Sequence, residues 1–445
     1  MDIKASDFPK DFLWGVSTSS YQIEGAVQAD GRGESIWDRF SHTPGKIDLA
    51  HTGDLGTDHY HRYKEDVRMM ADLGVNTYRF SIAWPRVIPS GDGEINPQGL
   101  DFYDRLVDEL LKAGIKPFAT LYHWDLPQVL QDRGGWQNRA TAYAFARYCG
   151  VVVERLGDRI QDWITHNEPW CMAFLGYQLG IHAPGIQDLR IALQASHHLL
   201  LSHGQAVKAI RAASQLPARV GAALNHNPSS PFSASPADVA AAVRFDGYFN
   251  RWFLEPLAGN GYPQDMWNYY GENVPEVQPG DLQLIAEPTD FLGINYYERE
   301  CVEDNPQGIP PQTRRRMDPD LTHTADREVY PQGMFDLLQR VSQDYPQLAP
   351  FYITENGANF PDEVAEDGQV HDPGRIEFLK LHFEQALRAV KAGIDLRGYC
   401  VWSLMDNFEW NLGYNGRYGI VFTDFDTLER IPKDSALWYK DFLST

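Results

Sequence analysis

Short β-branched or aromatic runs alternate along the chain with longer amphipathic ones. Eight of the short runs read as strands: FLWGVS from Phe12, VNTYRFSI from Val75, KPFATLYHW from Lys116, QDWITHNEP from Gln161, RVGAALNHN from Arg219, DFLGINYY from Asp290, FYITENG from Phe351 and GYCVWSL from Gly398. Between them lie stretches with helical spacing of apolar residues. YKEDVRMMADLG places Val67, Met69, Met70 and Leu73 on one side and stops at Gly74; GLDFYDRLVDELLKAG stops at Gly114 and PGRIEFLKLHFEQALRAVKAG at Gly393. A glycine just past the last turn is a common helix stop, because it takes the left-handed backbone conformation without steric cost. Eight strand–helix pairs in alternation predict one (β/α)8 TIM barrel spanning residues 1–445 as a single domain. A doubly wound open sheet competes, but it usually carries a Gly-rich phosphate loop after its first strand. Here the first strand runs into STSSYQIEGA, which is not GxGxxG.

Long insertions after strands are expected around residues 31–58, 170–190 and 296–332, on the face where a barrel builds its site. Residues 303–320 read as a loop, and Arg314, Arg315 and Arg316 within it as a solvated charge run. The net charge of −22 makes nucleic acid and anionic membrane surfaces poor partners. No stretch approaches the roughly 20 apolar residues of a membrane span, and MDIKASDFPKDFLWG carries no apolar run of the secretory kind. Cys149, Cys171, Cys301 and Cys400 are scattered without metal spacing and fit free thiols. The expected location is therefore cytoplasmic. No cofactor or metal is implied, and His59, His61, His197, His198 and His203 read as structural.

Functional side chains of a barrel sit at the C-terminal ends of its strands. Four predicted ends carry dense polar and aromatic clusters: YHWD at Tyr122–Asp125, THNEPW at Thr165–Trp170, ITENG at Ile353–Gly357 and WSLMDNFEWNLGYNGRYG from Trp402. The fourth and seventh ends each present a glutamate, Glu168 and Glu355. Three strands apart on a ring of eight, they can meet across the barrel mouth. Two facing carboxyls, one protonated to help the leaving oxygen depart and one ionised to attack the anomeric carbon, are the equipment of glycoside hydrolysis. A separation of about 5–5.5 Å gives retention of configuration, and a wider gap admits a water and gives inversion.

The chain resembles glycoside hydrolase family 1, the β-glucosidase family. The segments FLWGVSTSSYQIEG, LYHWDLPQ, NEPW, GIHAPG, GINYY, YITENG and WSLMDNFEW occur in order along nearly the whole chain. The resemblance implies a retaining β-glucosidase acting on a small β-glycoside or oligosaccharide, with glucosyl and also galactosyl or fucosyl residues as candidates. It implies Glu168 as acid/base and Glu355 as nucleophile. Arg79, Asn295 and Tyr297 become their supporting residues, Arg79 holding Glu355 ionised. Gln22, His123, Trp124, Asn167, Trp402, Glu409, Trp410 and Tyr418 become the sugar-binding set, with Asn167 on the 2-hydroxyl and Trp402 under the ring. Trp170, Cys171, Leu175, His182 and Arg327 become the aglycone side. It also implies a cis peptide between Trp402 and Ser403.

One departure is DREVYP where many members have a segment like GWEVYP, which puts Arg327 in place of a tryptophan of the aglycone subsite. Tyr418 stands where many members have phenylalanine. The alternatives are a 6-phospho-β-glycosidase and a non-catalytic sugar-binding scaffold. Phospho-specific relatives place a small hydroxyl residue at Glu409 and a lysine at Gly416, and this chain keeps only the tyrosine. A scaffold, or a thioglucosidase, would lack one of the two glutamates.

Overall fold

The computed structural model describes residues 3–445. All eight expected strands form: β1 (Leu13–Ser17), β2 (Thr77–Ser81), β3 (Lys116–Tyr122), β4 (Asp162–Asn167), β5 (Arg219–Asn225), β6 (Phe291–Asn295), β7 (Phe351–Asn356) and β8 (Leu396–Trp402). They pair in parallel, each with its sequence neighbours, and β8 closes on β1. The principal helices outside the ring are α1 (His59–Leu73), α2 (Pro97–Lys112), α3 (Arg139–Leu156), α4 (Leu189–Ala213), α5 (Gln332–Asp344), α6 (Pro373–Lys391) and α7 (Asp434–Leu443). Gly74, Gly114 and Gly393 all have φ in the left-handed region, as their place after a helix requires. In α1, Val67, Met70 and Leu73 are buried. Met69 is not: it is only partly covered, because it lies one position off the inward stripe. Among the described residues no helix is long and apolar enough to cross a membrane.

Two apolar layers hold the barrel. The larger lies between strands and helices. The smaller contains Phe118, Ile164, Ala223, Phe291 and Tyr352, with Leu13 against it. These side chains come from six different strands, so they meet inside the ring. Phe118, Phe291 and Tyr352 contact one another edge-to-face at 5.4–5.6 Å between centroids. This arrangement suits the ring quadrupole, and it plugs the barrel with a packed floor.

The insertion after β6 corrects the expectation for residues 303–320. Thr313–Arg316 is a strand paired antiparallel with Glu300–Asp304, and the latter pairs in parallel with Ser229–Pro231. The arginines remain largely solvent-exposed, as expected of a charge run, but each is paired. Arg314 and Arg316 pair with Glu303 on the facing strand, and Arg315 pairs with Glu298 and reaches toward Glu300. Opposite charges across a strand pair, together with the buried Glu298, favour the hairpin over a loop.

Candidate active site

Both glutamates follow a break in strand register. The β4–β5 pairing shifts between Ile164 and Asn167, and the β6–β7 pairing shifts between Ile353 and Glu355. On β4 the effect is visible in the side chains. Thr165 bonds His203 at 2.7 Å and His166 bonds Ser202 at 2.7 Å, so two consecutive residues face helix α4. An unbroken strand alternates faces, which would turn Asn167 outward. The extra residue returns Asn167 to the interior, re-aiming a side chain as bulges beside active sites do. On β7, Thr354 and Glu355 both face inward, Thr354 Oγ1 donating to Asn295 Oδ1 at 2.6 Å.

The two carboxyls stand in one connected chain of buried groups. Arg79, at the end of β2, donates from Nη1 to Glu355 Oε1 and from Nη2 to Asn167 Oδ1 at 2.6 Å. Asn295 Nδ2 donates to Asn167 Oδ1 at 2.9 Å and to Glu168 Oε1 at 2.7 Å. Tyr297 Oη donates to Glu355 Oε2 at 2.8 Å. Glu355 thus has a cation and a phenol, whereas Glu168 has an amide and, on Oε2, the Cys171 thiol at 3.1 Å. The environments differ as the chemistry requires. Burial pushes the Glu168 carboxyl up to about 7, the charge of Glu355 adds to this, and the bonds from Asn295 and Cys171 oppose it. The group is therefore partly protonated at neutral pH, where a general acid works best.

A cavity of about 590 Å³ opens above this pair. Its lining includes His123, Trp124, Glu168, Trp170, Cys171, Leu175, His182, Asn295, Tyr297, Arg327, Glu355, Trp402, Glu409, Trp410 and Tyr418. Thus fifteen residues singled out from the sequence converge on one space. The remaining three, Gln22, Arg79 and Asn167, are buried directly beside it and bond the lining residues Glu409, Glu355 and His123. Asn167 Oδ1 accepts from two donors, so its Nδ2 must donate to His123 Nε2, 3.1 Å away. Burial, with the Arg79 charge, keeps His123 neutral. The proton then sits on Nδ1, which is buried without a protein partner and free to donate to a ligand. Gln22 is held by Ser19, Asn407 and the Phe408 carbonyl, and its Nε2 lies 3.3 Å from Glu409 Oε2. Trp402 and Trp410 lie nearly parallel to the His123 ring, with centroids 5.7 and 5.8 Å away. The Trp402–Ser403 peptide is cis. Trp124, Glu168 and Trp410 have φ of 75°, 45° and 48°. Such positions cost about 1–3 kcal/mol in a residue with a side chain and gather at functional sites.

Glu409 is not an ordinary carboxylate. Burial pushes it up to about 8 against the lowering effect of Arg327, with Asp326, Glu355 and Glu168 pushing the same way as burial. Arg327 lies 4.7 Å over the Tyr297 ring and 5.9 Å from that of Tyr418, and approaches Glu298 at 4.0 Å. Tyr418 donates to Asp326 at 2.8 Å. Asp326, Glu298, Glu300, Arg315, Asn225 and Asn227 also line the cavity and were not foreseen. Asn225 and Asn227 end the RVGAALNHN run, where the strand-end rule would have found them. The charged residues gave no such signal. Of the five histidines set aside, His59 bonds Asp66, His61 bonds Asp58, His197 bonds Tyr262 and Asp281, His198 bonds the Trp136 carbonyl, and His203 bonds Thr165.

A closed parallel barrel with paired carboxyls at its mouth defines a glycoside hydrolase by architecture and site together. The sequence profile of glycosyl hydrolase family 1 matches residues 4–445, and the chain belongs to that family. It is 48% identical over 442 residues to beta-glucosidase A of Acetivibrio thermocellus, covering 98% of each chain. Its fold matches that of the AHE enzyme from Alicyclobacillus herbarius with a TM-score of 0.95 at 52% identity, covering 98% of this chain and 97% of that one. The family 1 β-glucosidase from Thermotoga maritima in complex with isofagomine lactam matches with a TM-score of 0.95 at 46% identity, covering 98% of each.

Proposed function

We propose that the protein is a retaining β-glucosidase in which Glu168 is the acid/base and Glu355 the nucleophile. The observation that carries this is the asymmetry of the pair. Glu355 is held by Arg79 and Tyr297, and Glu168 only by neutral donors and burial. In the first step Glu168 protonates the glycosidic oxygen while Glu355 attacks the anomeric carbon and forms a covalent ester. In the second, Glu168 takes a proton from water, which displaces the sugar from Glu355. Asn167 and the Nδ1–H of His123 bind hydroxyls on one side of the sugar, Gln22 and Glu409 bind those on the other, and Trp402 supports the ring.

The substrate sugar is unphosphorylated. A Cβ at Gly416 would lie 2.7 Å from Glu409 Cγ, so a lysine there and a glutamate at 409 compete for the same space. The whole chain acts as one barrel domain on a small β-glycoside. Its unpaired thiols suit a reducing, cytoplasmic setting.

The test is a panel of chromogenic β- and α-glycosides together with a β-glucoside 6-phosphate, with the first-formed product followed by ¹H NMR. The expected result is turnover of the plain β-glucoside with the β-anomer appearing first. Initial α-anomer, or kcat/KM for the phosphate equal to or above that for the plain glucoside, would overturn the reading.

A further inference from the structure

The two oxygens of Glu168 have partners of different kinds. Oε1 faces Asn295 Nδ2, whose amide is locked in orientation. Its Oδ1 accepts from Thr354, and its Nδ2 donates both to Glu168 and to Asn167 Oδ1, which is itself fixed as an acceptor by Arg79. This nitrogen can only donate, so a proton on Oε1 would face a second hydrogen. Oε2 faces the sulfur of Cys171, which is buried against the cavity wall. A thiol is a weak donor and a weak acceptor. Asn225 Nδ2 approaches the same sulfur at 3.6 Å as a donor, which leaves the thiol's own hydrogen for Oε2.

We propose that Cys171 is a positioning residue for the acid/base: together with the obligate donor Asn295 it confines the acidic proton of Glu168 to Oε2. The thiol donates to Oε2 when the carboxylate is bare and turns its hydrogen away when Oε2 carries the proton. It thereby follows the proton into and out of the acid form without fixing Glu168 in either state. Burial pushes the thiol well up, so it remains a thiol and keeps the hydrogen this requires. A serine at this place would be a stronger donor and would favour the carboxylate; an alanine or valine would remove the donor and favour the acid.

The inference rests on Glu168 as acid/base, and the experiment separates the two. The alkaline limb of kcat/KM is measured for an alkyl β-glucoside in wild type, Cys171→Ser, Cys171→Ala and Cys171→Val, with Glu168→Gln alongside. Dinitrophenyl β-glucoside, whose leaving group needs no proton, reports whether the rest of the site is intact. Donor strength moves the limb down by about half a pH unit in the serine variant and up by a similar amount in both the alanine and valine variants. The dinitrophenyl substrate shows no matching shift of an alkaline limb in any of the three, whatever its absolute rate, since its leaving group needs no proton. If serine and alanine move the limb in the same direction, if valine matches wild type, or if no variant moves it, Cys171 merely fills space and the proposal fails. If Glu168→Gln keeps alkyl-glucoside turnover, the acid/base reading itself fails, whatever Cys171 does.

Discussion

Replacing Glu355 by glutamine isolates the electrostatic link between the two carboxyls. Burial is the larger cause of the raised Glu168 value and the Glu355 charge the next, while Asn295, Cys171 and Arg79 pull the other way. Lifting the carboxyl from 4.5 to about 7 disfavours its anion by ~3 kcal/mol. Two unit charges about 5.5 Å apart in an effective dielectric of about 20 repel by ~3 kcal/mol, which is worth ~2 pH units. Neutralising Glu355 also leaves the Arg79 guanidinium without its carboxylate, so its pull on the Glu168 anion is no longer offset. Glu168 should therefore fall by at least ~1 pH unit in Glu355→Gln, to about 6 or below, with burial holding it above its ordinary value. On the proposed mechanism the same neutralisation accompanies formation of the Glu355 ester, and the drop would turn the acid of the first step into the base of the second. Carbon-13 NMR of protein labelled at glutamate carboxyls follows the titration, and the Glu168 resonance is assigned by its loss in Glu168→Gln. A Glu168 that titrates within about 0.3 pH units of wild type in Glu355→Gln would show that burial alone sets it and would refute the coupling.

Arg327→Trp replaces a cation stacked on Tyr297 by a flat ring; KM for aryl β-glucosides should fall about three- to tenfold from ~0.5–1.5 kcal/mol of stacking, while KM for a disaccharide moves little. Equal changes for both substrates would remove Arg327 from the aglycone subsite. Glu409→Ser removes a buried carboxyl that, pushed up to about 8, is largely protonated at neutral pH; losing two neutral hydrogen bonds of ~0.5–1.5 kcal/mol each should lower kcat/KM for the plain glucoside by about 5- to 150-fold, and an unchanged value in steady-state kinetics would contradict that role. Lys433→Met strips a buried ammonium from Asp362 and Asp406, the latter in the loop that leads from Trp402 at the end of β8 to Glu409. Removing one partner of a buried ion pair costs about 3–5 kcal/mol, so urea denaturation should show a loss of that order, and an unchanged midpoint would show that Arg375, which also pairs with Asp362, and Arg417, which also pairs with Asp406, suffice.

The barrel was legible in the sequence because its signals are local. Strand periodicity, helical stripes and the glycine stops at 74, 114 and 393 each depend on a few adjacent residues and the backbone angles they allow. Glu168 and Glu355 were legible as candidates because each stands at a predicted strand end, which in a barrel lies at the mouth; that Glu355 turns inward beside Thr354 depends on the β6–β7 register shift. The inward turn of Asn167 was not. Thr165 and His166 both face helix α4 only because the β4–β5 register slips, and register is a property of two strands. The pairing of the arginines was hidden for a related reason. Three successive arginines look alike whether free or paired, and only the folded insertion, which sets Glu303 on the facing strand and Glu298 just before it, supplies their partners. The state of Glu409 and the division of labour at the two oxygens of Glu168 also belong to the tertiary structure. Protonation depends on desolvation and on charges from distant parts of the chain, and neither quantity exists until the chain has folded around the group.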